Sequence, residues 1–294
     1  MLQALSPATN PESEARGLAG WAFRTPSLRG LSFSFAVRCS DRRLGEDIGA
    51  VLAPLRVGGV VATTAPEVEQ EDPFAAPSHW YTVLDHIDGT VDVFRDEAAV
   101  ALRREPDSAL SWLLWDLNRC VAESSSEHLV FHAGGVQSGD AGVLVPGPSG
   151  SGKTTLVRAL VGNGFAYLSD ELVALTASGG HLLPYPKALT IKLPGPGAQL
   201  HLVPEDIRVG AVGTPCEPCF VVAPRYVPDR PSSIKRLSSE DAFVALVTNS
   251  VNLASHGARG MELLAATTRR AECFELAMSD LEGACQLIAG VVGI

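Results

Sequence analysis

Lysine is scarce in this chain of 294 residues: Lys153, Lys187, Lys192 and Lys235 are the only four, and arginine carries the remaining positive charge. With 33 acidic against 23 basic side chains the net charge is -10, which excludes a general basic surface for nucleic acid or for an anionic membrane. A local basic pocket is still compatible with that balance. The first twenty residues have neither a basic start nor an apolar run, so no secretory signal is expected, and no later stretch reaches membrane-spanning length. A cytoplasmic protein is the expectation. The six cysteines, at 39, 120, 216, 219, 273 and 285, are scattered in a way that predicts reduced thiols and no disulfide framework. Cys216-Glu-Pro-Cys219 alone has ligand spacing, and no second pair or matching histidines support a zinc site. Internal repeats and low-complexity tracts are also missing. What is left, 46% hydrophobic and 19% charged, is the composition of an ordinary globular protein with chain enough for one or two domains.

Against this background one stretch organises the rest. Gly147-Pro148-Ser149-Gly150-Ser151-Gly152-Lys153-Thr154-Thr155 fits the pattern G-x-x-x-x-G-K-[ST] at every fixed position and predicts a nucleoside-triphosphate site. The chemistry needs these residue types. Glycines let successive backbone N–H groups turn inward as an anion nest, and the helix that follows offers its positive end to phosphate. Lys153 is then placed to reach the β- and γ-phosphates, and Thr154 to set its hydroxyl on a Mg²⁺ ion bridging phosphate oxygens. Ala141–Pro146 before the loop reads as a buried strand, and 155–161 after it as a helix ended by Gly162 and Gly164.

Residues 1 to about 125 read as a small α+β module. A loosely held lead-in runs to about Gly30; Leu31, Phe33, Phe35 and Val37 alternate with smaller or polar residues as a half-buried strand; a helix follows behind Ser40 or Asp41 as cap. The acidic, proline-bearing stretch 64–78 predicts an exposed connection. Trp80–His86 and Thr90–Arg95 flank Asp88-Gly89 as a hairpin. Asp107 is a candidate cap for a helix whose stripe is Leu110, Leu113, Leu114, Leu117 and Val121. The aromatics Trp80, Tyr81, Phe94, Trp112 and Trp115 are expected in the core. Glu123–Glu127 is the best boundary, which gives domains of 1–125 and 126–294.

The second domain opens with His128–Val136, a turn at 138–140, and the strand that feeds the loop. Entry through a β-hairpin, where common mononucleotide folds use strand-helix-strand crossovers, predicts a mixed sheet. Phe165–Ser169 reads as a strand ending on Asp170-Glu171, with Leu172–Leu175 running on to a Gly179-Gly180 turn. Carboxylates arriving after the phosphate-loop helix are where a magnesium-binding or base group is wanted. Pro184–Lys192 is extended and basic, so Lys187 and Lys192 are candidate phosphate or substrate contacts, with plain surface charge as the alternative. The segment 193–213 should be irregular, Cys219–Ala223 and Phe274–Ala277 strands, and 238–247, 260–266 and 280–291 helices.

His132 stands fifteen residues before Gly147 and Asp170 seventeen after Lys153. At these residues the chain resembles a known family. His132–Val136, Gly147–Thr155, Tyr167–Glu171 and Pro186–Lys192 are similar to the C-terminal domain of bacterial HPr kinase/phosphorylase, and more so to the looser group of related kinases in natural-product and peptide-modification clusters. The likeness covers roughly residues 126–294. It implies an α/β, strand-rich P-loop fold shared with phosphoenolpyruvate carboxykinases, and ATP and Mg²⁺ as cofactors. It implies Asp170 as the base that takes the acceptor's proton, Glu171 as a magnesium holder, and His132 as a catalytic neighbour hydrogen-bonded to Asp170. The family's second aspartate is Glu171 here, and its glycine-rich signature loop has no copy, which puts HPr itself and the back-reaction in doubt. The expected activity is transfer of the γ-phosphoryl group to a hydroxyl of a peptide, a protein or a small alcohol. A nucleotide hydrolase or switch whose acceptor is water is the alternative, and a scaffold that binds nucleotide only for stability is a third reading. Neither nucleic acid nor membrane is an expected partner, and a homo-oligomer stays open.

Overall fold

The computed structural model describes residues 20–56, 76–195 and 199–293. Most of the expected lead-in and most of the 64–78 connection lie outside the described residues. Among the described residues two compact units emerge: 20–29, 33–56 and 76–120 make the first, 30–32 and the residues from Val121 onward the second, and the last passage between them, at Cys120 and Val121, falls inside a helix.

The first unit holds a sheet of β1 (Phe23–Arg24), β2 (Leu28–Gly30), β3 (Phe33–Cys39), β4 (His79–Asp85), β5 (Val91–Arg95) and β6 (Ala98–Arg104). Their order is β1-β3-β4-β5-β6, with β2 also on β3. Strands β3 and β4 are parallel, so a crossover must join them, and α1 (Arg42–Val51) lies in that connection. The Asp41 carboxylate caps it by accepting from Leu44 N at 2.7 Å. The β4–β5 hairpin turns through Gly89 at φ 81°, as Asp-Gly predicts.

Two expectations fail here, and one strand comes without any. Strand β6 was not anticipated: Ala98, Ala99 and Leu102 are exposed, so no alternating apolar pattern announces an edge strand. Asp107 lies inside the first turn of α2 (Pro106–Ser124), which begins on the proline, and so is not its cap. Tyr81 and Phe94 are buried, but Trp112 and Trp115 are 40% and 57% exposed, stacked edge to face on the outer side of α2. The stripe of Leu113, Leu114, Leu117 and Val121 buries the opposite side.

The second unit is built on a mixed sheet of eight strands: β7 (Leu129–Ser138), β8 (Ala141–Pro146), β9 (Ala166–Ser169), β10 (Leu172–Leu175), β11 (Leu182–Leu183), β14 (Glu217–Tyr226), β15 (Ser233–Arg236) and β16 (Glu272–Met278). The order is β11-β10-β7-β8-β14-β16-β15, with β9 also on β7. β7 meets β8 antiparallel, whereas β8, β14 and β16 run parallel. The hairpin entry and mixed sheet read from the sequence are therefore present. The extended stretch 184–192 supplies β12 (Leu189–Lys192), and the stretch 193–213 expected to be irregular supplies its partner β13 (Gln199–Leu202) and a single helical turn at Pro204–Ile207.

Helices cover both faces of the large sheet. On one, α3 (Lys153–Gly162) and the closing helix Leu281–Val292 bury Leu156, Leu160 and Ile288 against Val143, Val145 and Leu276. On the other, helices Ser239–Thr248 and Leu253–Arg270 bury Leu246 and Leu264 against Phe131, Leu144 and Val221. Each such fully buried aliphatic side chain contributes about 1.5–3 kcal/mol. Gly134 explains how closely α3 sits on β7: a Cβ there would stand 2.7 Å from a Val157 methyl. Glycine in the strand thus sets the depth at which the loop is delivered.

Candidate active site

The stretch Gly147–Thr155 forms the bend between β8 and α3. Gly150 and Gly152 take φ values of 84° and 89°, a region that side-chain-bearing residues rarely adopt, and Ser151 N closes the bend onto Pro148 O at 3.2 Å. A Cβ on Gly152 would also meet Met278 Cε at 2.8 Å. Pro148, Ser149 and Gly150 form an exposed crown, while Gly147 is buried at its base. Ser151 Oγ is buried with no hydrogen-bond partner, an orphan hydroxyl of the kind that a bound oxyanion satisfies. Thr155 points outward from the first turn of α3.

Lys153, the first residue of α3, is 6% exposed. Its ammonium donates to Gly147 O at 2.7 Å and Pro148 O at 2.9 Å, so the loop's own carbonyls hold the cation at its centre. Burial lowers the Lys153 pKa, against the pull of Glu171 and Asp170. His132 Nε2 stands 3.3 Å from Lys153 Nζ. Burial and then the neighbouring ammonium lower the histidine's pKa, favouring a neutral ring that accepts from the lysine. The hydrogen bond expected between His132 and Asp170 is replaced by this one. The reason is register: His132 pairs with Leu172 across β7 and β10, beyond the bend that carries Asp170.

Asp170 and Glu171 occupy that bend, between β9 and β10, both of which pair with β7. Ser169 Oγ fastens the bend by accepting from Glu171 N and Leu172 N, and Ala133 N donates to Glu171 O. Asp170 is 4% exposed. Its Oδ2 accepts from Thr154 Oγ1 at 3.0 Å, which joins the carboxylate to the loop. Its Oδ1 accepts from Tyr167 OH at 2.9 Å and from Lys187 Nζ at 3.0 Å.

Lys187 is the surprise of the site. It is 1% exposed, ion-paired to Asp170 at 3.0 Å and to Glu171 at 3.3 Å, and also bonded to Ala188 O. Burial alone would lower its pKa, but the two carboxylates reverse the sign and raise it. The surface-charge alternative therefore fails for Lys187. Lys192 stands exposed at the end of β12 and makes none of these contacts. Tyr167, buried and with its hydroxyl also 3.0 Å from Lys187 O, has a phenol pKa raised well above the ordinary value by burial and by Asp170. Sequence reasoning gave Tyr167 no role. Its signal was a phenol three residues before the carboxylate on a strand that ends at it.

Two ammonium groups and two carboxylates thus meet in one pocket beside the loop. The oxygens of Thr154 and Glu171 are hard donors of the kind that suit Mg²⁺. Among the described residues no group of three His, Cys, Asp or Glu could hold a metal ion unaided. Cys216 is buried and Cys219 half-buried, and neither is in a disulfide. No helix among the described residues is long and apolar enough to cross a membrane.

No family model matches the chain, and no curated protein matches it. Among solved structures the chain is similar to the Hpr(Ser) kinase/phosphatase from Coxiella burnetii, with 16% sequence identity over 56% of this chain and 88% of that one, at a TM-score of 0.34.

Proposed function

We propose that this chain is an ATP-dependent phosphotransferase that moves the γ-phosphoryl group to a hydroxyl, of serine or threonine in a peptide or protein or of a small alcohol. The observation that carries the reading is the join between loop and carboxylate: Thr154 Oγ1 lies 3.0 Å from Asp170 Oδ2, with the Lys153 ammonium at the loop's centre.

The residues divide the work as follows. Lys153 exchanges its bonds to Gly147 O and Pro148 O for phosphate oxygens, oriented from behind by neutral His132. Lys187 and Tyr167 occupy Oδ1 of Asp170 and keep the carboxylate turned, so that Oδ2 faces the loop. The acceptor's hydroxyl proton passes to Oδ2 as its oxygen bonds to the γ-phosphorus. The β–γ bridging bond breaks, and its electron pair leaves on the β-phosphate of ADP. Thr154 and Glu171 would hold Mg²⁺, which supplies charge neutralisation of the phosphate oxygens when bound. Catalysis here is mostly positioning and electrostatics, as phosphoryl transfer requires.

Asp170→Asn tests the base. The expected result is retained ATP binding by calorimetry, with transfer reduced about 10²–10⁴-fold. Lost nucleotide affinity with unchanged turnover would contradict the assignment. ATP given without an acceptor separates the hydrolase alternative, since a hydrolase releases phosphate rapidly and a kinase does not.

A further inference from the structure

Many phosphoryl-transfer sites hold two divalent ions between a pair of carboxylates and the phosphates. Asp170 and Glu171 are such a pair, and the position between them is filled. The Lys187 ammonium stands 3.0 Å from Asp170 Oδ1 and 3.3 Å from Glu171 Oε2, and it donates to Ala188 O at 3.0 Å. An ammonium has three N–H donors, so none is left over for phosphate. Hydrogen bonds to the backbone fix its place. Tyr185 N donates to Leu168 O at 2.8 Å, which ties the segment leading to Lys187 onto β9, and the Tyr167 hydroxyl lies 3.0 Å from Lys187 O. The lysine side chain is 1% exposed and that of Asp170 3%, so a hydrated ion has no room beside them. Burial works to lower the lysine's pKa, and the two carboxylates raise it beyond the ordinary value, which keeps it charged at neutral pH.

We propose that Lys187 takes the place of a second divalent cation, so that the site works with the one Mg²⁺ ion that accompanies the nucleotide. The inference rests on the reading of Gly147–Thr155 as a triphosphate site. A second ion would need Asp170 Oδ1 and Glu171 Oε2, and Lys187 holds both. Asp170 Oδ2 is engaged by the Thr154 hydroxyl. Of the two acids only Glu171, with 36% of its side chain exposed, is open to an ion that keeps part of its water, as Mg²⁺ does. A divalent ion drawn in beside the buried ammonium would also be repelled by it, with little solvent between them to screen the charges. The exchange of metal for lysine has a consequence. A covalently attached cation is not lost at low magnesium, so the acid pair is already ordered when the nucleotide arrives and needs no reorganisation during transfer.

The test counts metal ions. Mn²⁺, whose free fraction is read by electron paramagnetic resonance, stands in for Mg²⁺, and a non-hydrolysable ATP analogue occupies the loop. The wild type should bind one Mn²⁺ per chain together with the analogue. Lys187→Ala vacates the space between the two acids and should gain a second Mn²⁺, whereas Lys187→Met removes the charge, keeps the bulk and should stay at one. In the transfer assay, with Mg²⁺ equal to ATP, both variants should lose about 10²-fold in rate. Only Lys187→Ala should recover, by about tenfold, as free Mg²⁺ is raised. A lysine with a merely structural role would leave the two variants alike in metal count. A second Mn²⁺ on the wild type, or equal counts for the two variants, would overturn the inference and leave the loop reading standing. Should Lys187→Ala fail to fold, the wild-type count decides alone. Wild-type protein that binds neither the analogue nor its Mn²⁺ would overturn the loop reading, and this inference with it.

Discussion

Replacing Lys187 by methionine removes a buried cation while keeping most of the side chain's volume. Asp170 would then retain only the Tyr167 and Thr154 hydroxyls, with 3% of its side chain exposed to water. Removing one partner of a buried pair costs about 3–5 kcal/mol, because the remaining charge stays buried and uncompensated. Total stability is typically about 5–15 kcal/mol, so the variant should fold with much of its margin gone. For a unit of this size, about 2–4 °C is lost per kcal/mol, which predicts a melting temperature lowered by about 6–20 °C. Thermal and urea denaturation of the wild type, Lys187→Met, Asp170→Leu and the double variant form a cycle. The double variant should cost clearly less than the sum of the singles, since it leaves no orphan charge. The pH dependence has a definite sign. Lys187 has its folded pKa raised above the unfolded lysine value, so its stabilisation is fully present at neutral pH and is lost only as pH climbs through the folded value. A Lys187→Met shift under about 2 °C, or strict additivity in the cycle, would refute the claim that this pair organises the site.

Gly152→Ala forces a left-handed backbone on alanine and drives its Cβ into Met278 Cε, so nucleotide affinity should fall together with about 1–3 kcal/mol of stability; unchanged ATP binding by calorimetry would show the loop geometry to be irrelevant. Lys153→Ala should abolish or greatly reduce phosphoryl transfer, and near-normal turnover would remove the lysine from the mechanism. Among the thiols, Cys219 should react with a disulfide reagent before Cys216, which is 2% exposed and whose pKa burial pushes up to about 12; mass spectrometry of a brief labelling reaction reads the order, and Cys216 modified first would contradict it.

Local features were legible wherever the physics is local. Asp41 caps its helix through a bond spanning three residues, and such a bond leaves a mark in neighbouring letters. The hairpin into β8 was legible because a turn at 138–140 joins two apolar runs and Gly139 takes φ 54°. Strands β6 and β15 were not, because exposed edge strands have no buried face to impose alternation. Trp112 and Trp115 misled for the same reason in reverse: hydrophobicity states a preference for burial, and which side of α2 is covered depends on what packs there.

The letters of residues 147–155 by themselves determined a tight glycine turn with one ammonium and one hydroxyl at its exit, because backbone freedom and side-chain chemistry belong to the residues that carry them. The partnership of Lys187 with Asp170 and the turning of His132 toward Lys153 were decided only by the tertiary structure. Each depends on which strands become neighbours and at what register, and that is settled by the packing of the whole sheet between its two layers of helices.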